Sequence, residues 1–153
     1  MSRRGKKVVL MVASFGGHWV QLRRLESAFS DYKLIYVTTE KSCQSQLDNC
    51  GFYVVTDAAL DSKLKMIRMA LEVFFVVLKN RPTVVVSTGA APGFFSLVFG
   101  LMLGARTIWV DSIANVQQMS VSGLKVRRFA SLWLTQWEHL AKKNCPYYRG
   151  KVL

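Results

Sequence analysis

The sequence is poor in acidic residues and in cysteine, and it has no long apolar run. Only 9 Asp and Glu stand against 21 Lys and Arg in 153 residues, so the formal net charge is +12. An excess of this size favours polyanionic partners, namely nucleic acid, acidic lipid or phosphorylated substrates. The three cysteines lack CxxC or zinc-like spacing. They therefore predict neither a disulfide framework nor a metal site, and they fit a reducing cytoplasm.

Two further absences concern the membrane. No segment reaches the ~20 apolar residues that are needed to span a bilayer. The apolar run after Lys7 breaks at Gly16, so it predicts a first strand and not a signal peptide. A tight basic cluster at Arg3, Arg4, Lys6 and Lys7 comes without an RNA- or DNA-reading motif. We therefore favour a membrane surface over nucleic acid as the partner, because the basic residues coexist with unusually apolar helical segments.

Strand-like runs alternate with helix-like segments along the chain. Apolar, β-branched runs without period-two polarity predict strands at residues 7–13, 33–38, 52–55, 83–87, 107–110 and 132–136. Helices are predicted at residues 17–29, 40–49, 62–79, 92–103, 122–130 and 137–143. This alternation predicts a single α/β domain over residues 1–153, a Rossmann-like parallel sheet with helices on both faces. Its ligands should gather at the carboxyl ends of the strands.

The junction after the first strand, Ser14-Phe15-Gly16-Gly17-His18, has the composition of an anion site. Glycines let a ligand approach the backbone, and the unpaired N–H groups and positive dipole end of the following helix attract phosphate. An imidazole at this mouth can take a proton from a hydroxyl or bind a phosphate oxygen. The spacing matches neither the dinucleotide fingerprint nor a P-loop. A tight turn with a surface histidine is the alternative interpretation.

Two more polar loops follow strands that should end at the same edge of the sheet. The segment 87–93 combines small residues with a proline at a helix start, which suits a second backbone cradle for an anion. The segment that begins at Asp111 and Ser112 presents a carboxylate and several amides. Helix caps and turns can explain each loop alone, but three loops in one crevice favour a ligand site.

Four segments together resemble the PssD family of bacterial polysaccharide-biosynthesis proteins: SFGGHWVQL at 14–22, STGAAPG at 87–93, DSIA at 111–114 and QWEHLA at 136–141. That family is similar to the membrane-bound acceptor subunit of the eukaryotic dolichol-linked N-acetylglucosaminyltransferase and, more distantly, to the N-terminal half of a GT-B enzyme of peptidoglycan synthesis. The resemblance implies a split glycosyltransferase. This chain would hold a polyprenyl-diphosphate-linked sugar acceptor, and a separate C-terminal-type GT-B chain would bind the nucleotide sugar.

The resemblance also implies roles for individual residues. His18 is the first candidate for the base that deprotonates the acceptor hydroxyl, and Asp111 is the second. Residues of the three loops would hold the acceptor diphosphate: Ser14, Gly16, Gly17, Thr88, Gly89, Gly93 and Ser112. No metal or cofactor is expected, because amides and a helix dipole of the donor half can stabilise the leaving diphosphate. Trp19 and Trp137 are candidates for sugar stacking or a partner interface, with core packing favoured for Trp137.

The expected location is peripheral, on the cytoplasmic face of the cell membrane. In contrast to the eukaryotic relatives, we expect no N-terminal transmembrane anchor here, so the resemblance implies attachment through peripheral contacts or another subunit. Basic and aromatic residues are the candidates for membrane contact: Arg3, Arg4, Lys65, Arg68, Phe74 and Phe75. Two other classes of function stay open, a non-catalytic scaffold that recruits and activates the catalytic partner, and a nucleic-acid module without an evident stacking platform.

Overall fold

The computed structural model describes residues 7–59 and 61–152, and within these ranges seven strands form one parallel sheet. The strands are β1 (Val8–Ala13), β2 (Lys33–Thr38), β3 (Gly51–Val54), β4 (Val84–Gly89), β5 (Arg106–Val110), β6 (Leu132–Thr135) and β7 (Tyr147–Tyr148). Their order across the sheet is β3-β2-β1-β4-β5-β6-β7. The direction of winding therefore changes between β1 and β4, the position at which Rossmann-like sheets bind their ligands.

The helices cover both faces of this sheet. They are α1 (Gly17–Arg24), α2 (Lys63–Asn80), α3 (Ala90–Met102) and α4 (Val121–Val126), with short 3₁₀ turns at Glu26–Phe29, Lys41–Gln46 and Glu138–Leu140. Because the side chains of a strand alternate between its two faces, β1 supplies both cores. Leu10 and Val12 pack in the core under α2, α3 and α4, while Val9 and Met11 pack in the core under α1. Burial on both faces explains why the strands read as continuous apolar runs.

Four predicted helices differ from the observed ones, and one of them, predicted at 122–130, is α4 and ends at Val126. The helix predicted at 40–49 is a 3₁₀ turn, because Glu40 and Ser45 bond to nearby backbone groups instead of supporting an α-helical ladder. The helix predicted at 17–29 stops at Arg24, where the Leu25 N–H bonds to the Leu22 carbonyl and tightens the last turn. The helix predicted at 137–143 is a single 3₁₀ turn, and the short edge strand β7 was not predicted at all.

Candidate functional site

The loop after β1 and the junction between β4 and α3 meet at the carboxyl edge of the sheet, since β1 and β4 are neighbours. Residues 87–93, predicted as a loop, instead end β4 and begin α3 with no residue between the two elements. In both places the chain enters the helix through a glycine with positive φ, +96° at Gly16 before α1 and +147° at Gly89 before α3. Such angles favour glycine because it has no Cβ. Two helix N-termini therefore begin beside the same crevice. At α3 the Gly89 N–H already donates to the Ser87 hydroxyl and Pro92 has no N–H, so the start of α1 is the better candidate for binding an anion.

His18 is fixed to the end of β4 by two reciprocal hydrogen bonds. Its ring Nδ1 lies 3.0 Å from the Thr88 carbonyl oxygen, and the Thr88 hydroxyl donates to the His18 carbonyl oxygen at 2.6 Å. A carbonyl can only accept, so the Nδ1 atom carries the proton in this contact. In the neutral ring the Nε2 atom then holds the free lone pair, and no described residue is bonded to it. This tautomer is the one that a general base requires.

The imidazole of His18 lies directly over Gly89. A Cβ atom at position 89 would stand 2.4 Å from both Cε1 and Nδ1 of the ring, closer than any real contact of this type. Gly89 therefore makes room for the imidazole as well as for the turn. Gly17, at the start of α1, has open space where a side chain would go and is exposed. The first helix N-terminus is thus accessible from solvent beside the imidazole.

Other residues expected to face the diphosphate lie behind the loops. Thr88 is fully buried, and a Cβ at Gly93 would lie 1.9 Å from the Ser87 hydroxyl oxygen, so Gly93 packs α3 against β4. Ser112 is also buried, and its hydroxyl accepts from the Ala114 N–H at 3.2 Å. These residues support the crevice, whereas Gly16, Gly17 and half-buried Ser14 lie on the first loop itself.

Asp111 has a different environment from the one expected of a base. It is 1% exposed, and its two carboxylate oxygens accept four hydrogen bonds. The Oδ1 atom accepts from the indole of Trp109 at 2.9 Å and from the Ser120 hydroxyl at 2.5 Å. The Oδ2 atom accepts from the Asn115 amide at 3.0 Å and from the Ser120 N–H at 2.8 Å. A carboxylate has about four lone-pair positions, so Asp111 holds the third loop in place and offers none to a substrate hydroxyl here.

A buried pair of glutamines, which sequence reasoning did not identify, connects the loops. The Gln21 side-chain oxygen accepts from the Gln136 amide at 2.7 Å and from the Ile113 N–H at 3.2 Å. The same Gln136 amide donates to the Asp111 carbonyl at 2.9 Å. This network ties α1 to the end of β6 and to the third loop. The sequence feature that could have indicated this network was the position of Gln21 on α1, one helical turn after His18.

The two tryptophans are anchored to the protein. Trp19 is 2% exposed, lies edge-on to Tyr36 with ring centroids 5.5 Å apart, and donates to the Gln46 side chain. It belongs to the core and has no face for a sugar. Trp137 is half-buried, donates to the Ile113 carbonyl at 2.8 Å, and has the Lys151 ammonium 4.2 Å from its ring centroid.

The candidates for membrane contact lie on α2, except for Arg3 and Arg4, which are outside the described residues. Lys65 and Phe75 are exposed, and Arg68 is exposed but pairs with Glu72 at 2.9 Å. Phe74 is half-buried against α3. Exposed apolar residues follow one side of the helix at helical spacing: Leu64, Ile67, Leu71, Phe75 and Leu78. Over the described part of the chain, no helix has the length and apolar character needed to cross a bilayer.

Solved structures identify the class of fold. MurG of Acinetobacter baumannii matches with a TM-score of 0.74 at 11% identity, covering 95% of this chain and 45% of that one. The UDP-GlcNAc 2-epimerase of Methanocaldococcus jannaschii matches with a TM-score of 0.61 at 15% identity, covering 84% of this chain and 39% of that one. The predicted Rossmann-like α/β fold is confirmed, and the domain resembles the N-terminal GT-B half of MurG.

Sequence comparison then gives the family. Residues 52–152 match the family described as oligosaccharide biosynthesis protein Alg14 like, and the chain belongs to it. A stretch of 74 residues is 36% identical to the UDP-N-acetylglucosamine transferase subunit ALG14 of Yarrowia lipolytica. That stretch is 44% of this chain and 34% of the relative, so the match spans about a third of the relative's length. The chain is thus homologous to a subunit of a glycosyltransferase.

Proposed function

We propose that this chain is the acceptor-binding half of a split GT-B glycosyltransferase. It binds a polyprenyl-diphosphate-linked sugar and joins a separate chain that binds the nucleotide sugar, and the reaction belongs to exopolysaccharide or capsule synthesis of the PssD type. The observation that carries this proposal is the placement of His18. Its ring is held over Gly89 at the N-terminus of α3, beside the open N-terminus of α1. This pairs a base with an anion cradle in a domain of the GT-B N-terminal type.

In the proposed reaction, a sugar is transferred from a nucleotide-linked donor to a lipid-linked acceptor sugar. The backbone N–H groups at the start of α1 bind the acceptor diphosphate, and His18 Nε2 takes the proton of the acceptor hydroxyl. The acceptor oxygen then forms the new bond to the anomeric carbon of the donor sugar, while the bond to the leaving nucleoside diphosphate breaks. Donors on the partner chain stabilise the charge of that leaving group.

The proposed location is peripheral, at the cytoplasmic face of the membrane, where a nucleotide sugar and a lipid-linked acceptor meet. The exposed apolar side of α2 and the ammonium and guanidinium groups of Lys65 and Arg68 support this location. Apolar side chains inserted at an interface and cations beside anionic headgroups both favour binding.

Reconstitution tests the proposal. The chain, the donor-binding partner and their mixture are each incubated with a nucleotide sugar and a short polyprenyl-diphosphate-linked sugar, and transfer is followed by mass spectrometry of the lipid product. Transfer by the mixture alone is expected, since GT-B chemistry takes place between two domains. Full transfer by this chain alone contradicts a split enzyme. Full transfer by the partner alone assigns this chain the scaffold role instead.

A further inference from the structure

An apolar groove of about 540 Å³ runs between α2 and α3. Met66, Ala70 and Phe74 line it from α2, and Phe95 and Phe99 line it from α3. The aromatic rings form one connected wall, because Phe74 meets Phe99 edge-on at 5.3 Å and Phe95 stacks on Phe99 at 6.1 Å. The small side chain of Ala70 gives the groove its depth. This wall is a concave, preformed binding surface for an apolar ligand.

The groove opens at the edge of the sheet that carries the candidate site. Both α2 and α3 leave parallel strands at their carboxyl ends, so the two helices run in the same direction. The contact of Phe74 with Phe99 fixes their relative height. Lys63 lies three turns before Phe74, on the order of 16 Å along the axis, which brings it level with the start of α3. The end of the groove nearest the crevice is therefore the end at Lys63.

The charge around the groove is arranged for a ligand with one anionic end. Lys63 is the charged residue of its lining. The nearest acidic side chain on α2, Glu72, is already occupied by the N–H and hydroxyl of Thr56 and by the guanidinium of Arg68. A cation thus stands in the lining at one end of an apolar channel, whereas the exposed Asp61, two residues earlier in the chain, does not line it. An apolar chain with a phosphate head matches this pattern.

The groove is distinct from the apolar outer side of α2. Leu64 is 82% exposed and does not line the groove. Ala70 is half-buried and does line it. Ile67 and Leu71 form the rim that both surfaces share. A flat bilayer surface can contact the outer side, but a narrow channel between two helices fits a single chain better.

We propose that this groove binds the first isoprene units of the polyprenyl chain, with the phosphate end at Lys63. The choice of a polyprenyl chain as the ligand rests on the proposed function. The proposal extends that function by assigning a site to the lipid part of the acceptor. The groove would draw one chain out of the bilayer and deliver its diphosphate to the crevice at the start of α1 and α3. The outer side of α2 would meanwhile contact the bilayer.

The test is direct binding of geranylgeranyl diphosphate, below its micelle concentration and without detergent, measured by titration calorimetry. Ala70→Phe fills the groove with an apolar side chain, so it should weaken this binding roughly tenfold or more while leaving binding to anionic phosphatidylglycerol vesicles unchanged. Ala70→Leu repeats the test with a smaller, helix-favouring side chain. Leu64→Ser is the matched control, since it should weaken vesicle binding and leave the affinity for geranylgeranyl diphosphate unchanged.

Several results would overturn the proposal. Unchanged affinity for geranylgeranyl diphosphate in both Ala70 variants, each shown to be folded by circular dichroism, places the chain elsewhere. Parallel loss of both kinds of binding in Ala70→Phe and Leu64→Ser makes the groove part of a general membrane face. The titration needs no partner and no transfer, so its result is separate from the fate of the split-enzyme proposal.

Discussion

The side chain of His18 and the backbone of Thr88 determine each other's position: the ring Nδ1 lies 3.0 Å from the Thr88 carbonyl oxygen, and the Thr88 hydroxyl lies 2.6 Å from the His18 carbonyl oxygen. His18 lies in the first turn of α1 and Thr88 near the end of β4, so the contact joins the helix after β1 to the neighbouring strand across the switch point of the sheet. It also selects the tautomer with a free Nε2 lone pair. A surface histidine in a tight turn would need neither bond.

Replacing His18 by alanine should therefore lower turnover without unfolding the protein. We expect kcat of the reconstituted pair to fall roughly 10²–10⁴-fold, the usual contribution of a positioned acid–base group, while partner binding is retained. His139→Ala is the control, because His139 is exposed and bonds only to the Val116 carbonyl. Near-normal kcat in His18→Ala would show that His18 is not the base of the reaction. If a stably folded Asp111→Asn protein then lost turnover, the base would be Asp111.

Asp111→Asn should act on stability more than on chemistry. All four groups that surround the carboxylate are donors, so the amide NH₂ of asparagine would face donors and leave at least one buried group unpaired. We expect a loss of about 1–3 kcal/mol in the free energy of unfolding, measured by urea denaturation. Asp57→Asn, at an exposed position, should change little. A stable Asp111→Asn protein with abolished turnover would contradict this structural role.

The sequence was sufficient to predict which edge of the sheet the candidate segments share, but not how their side chains pack. Gly16 and Gly89 could be predicted as turn glycines at one edge, because the alternation of strands and helices determines where each loop ends. Gln21 and Gln136 could not be paired, since they are 115 residues apart and a buried amide leaves no periodic signal. The Ser87 contact that requires Gly93 depends likewise on how closely α3 approaches β4. The local sequence pattern specifies the strands and helices. The distance at which these elements pack against one another determines which polar groups are buried.

Gly17→Val tests the backbone cradle separately from the base. No atom lies within 4 Å of the position a Cβ would take, so the fold should tolerate the side chain, but its bulk would keep phosphate from the backbone N–H groups. We expect a higher KM for the acceptor with a smaller change in kcat. Val20→Ala, on the exposed side of the same helix, is the control. An unchanged acceptor KM would show that the diphosphate binds elsewhere.

The carboxylate of Glu72 should make stability depend on pH. Burial by itself would raise the pKa of this group, but hydrogen bonds from the Thr56 N–H, the Arg68 guanidinium and the Thr56 hydroxyl lower it below its ordinary value. A lowered pKa in the folded state means that the contribution to stability is complete above the unfolded pKa, about 4.3, and disappears as the pH falls through the folded pKa. The stability difference between the natural chain and Glu72→Gln should therefore be present at neutral pH and vanish in acid. A stability difference between the two proteins that does not change with pH would contradict this role of the Glu72 carboxylate.

Binding to anionic vesicles should be partly electrostatic and sensitive to salt. Lys63, Lys65 and Arg68 lie along the exposed part of α2, and each cation near an anionic surface contributes about 1 kcal/mol. Raising the salt concentration shortens the screening length, so flotation assays should show release of much of the protein from phosphatidylglycerol vesicles. Lys65→Gln should bind more weakly at low salt and lose less on salt addition, whereas Lys143→Gln, far along the chain in an exposed loop, serves as the matched control for total charge. If the amount of protein bound to vesicles depended on neither salt concentration nor lipid charge, apolar insertion alone would hold the protein on the membrane.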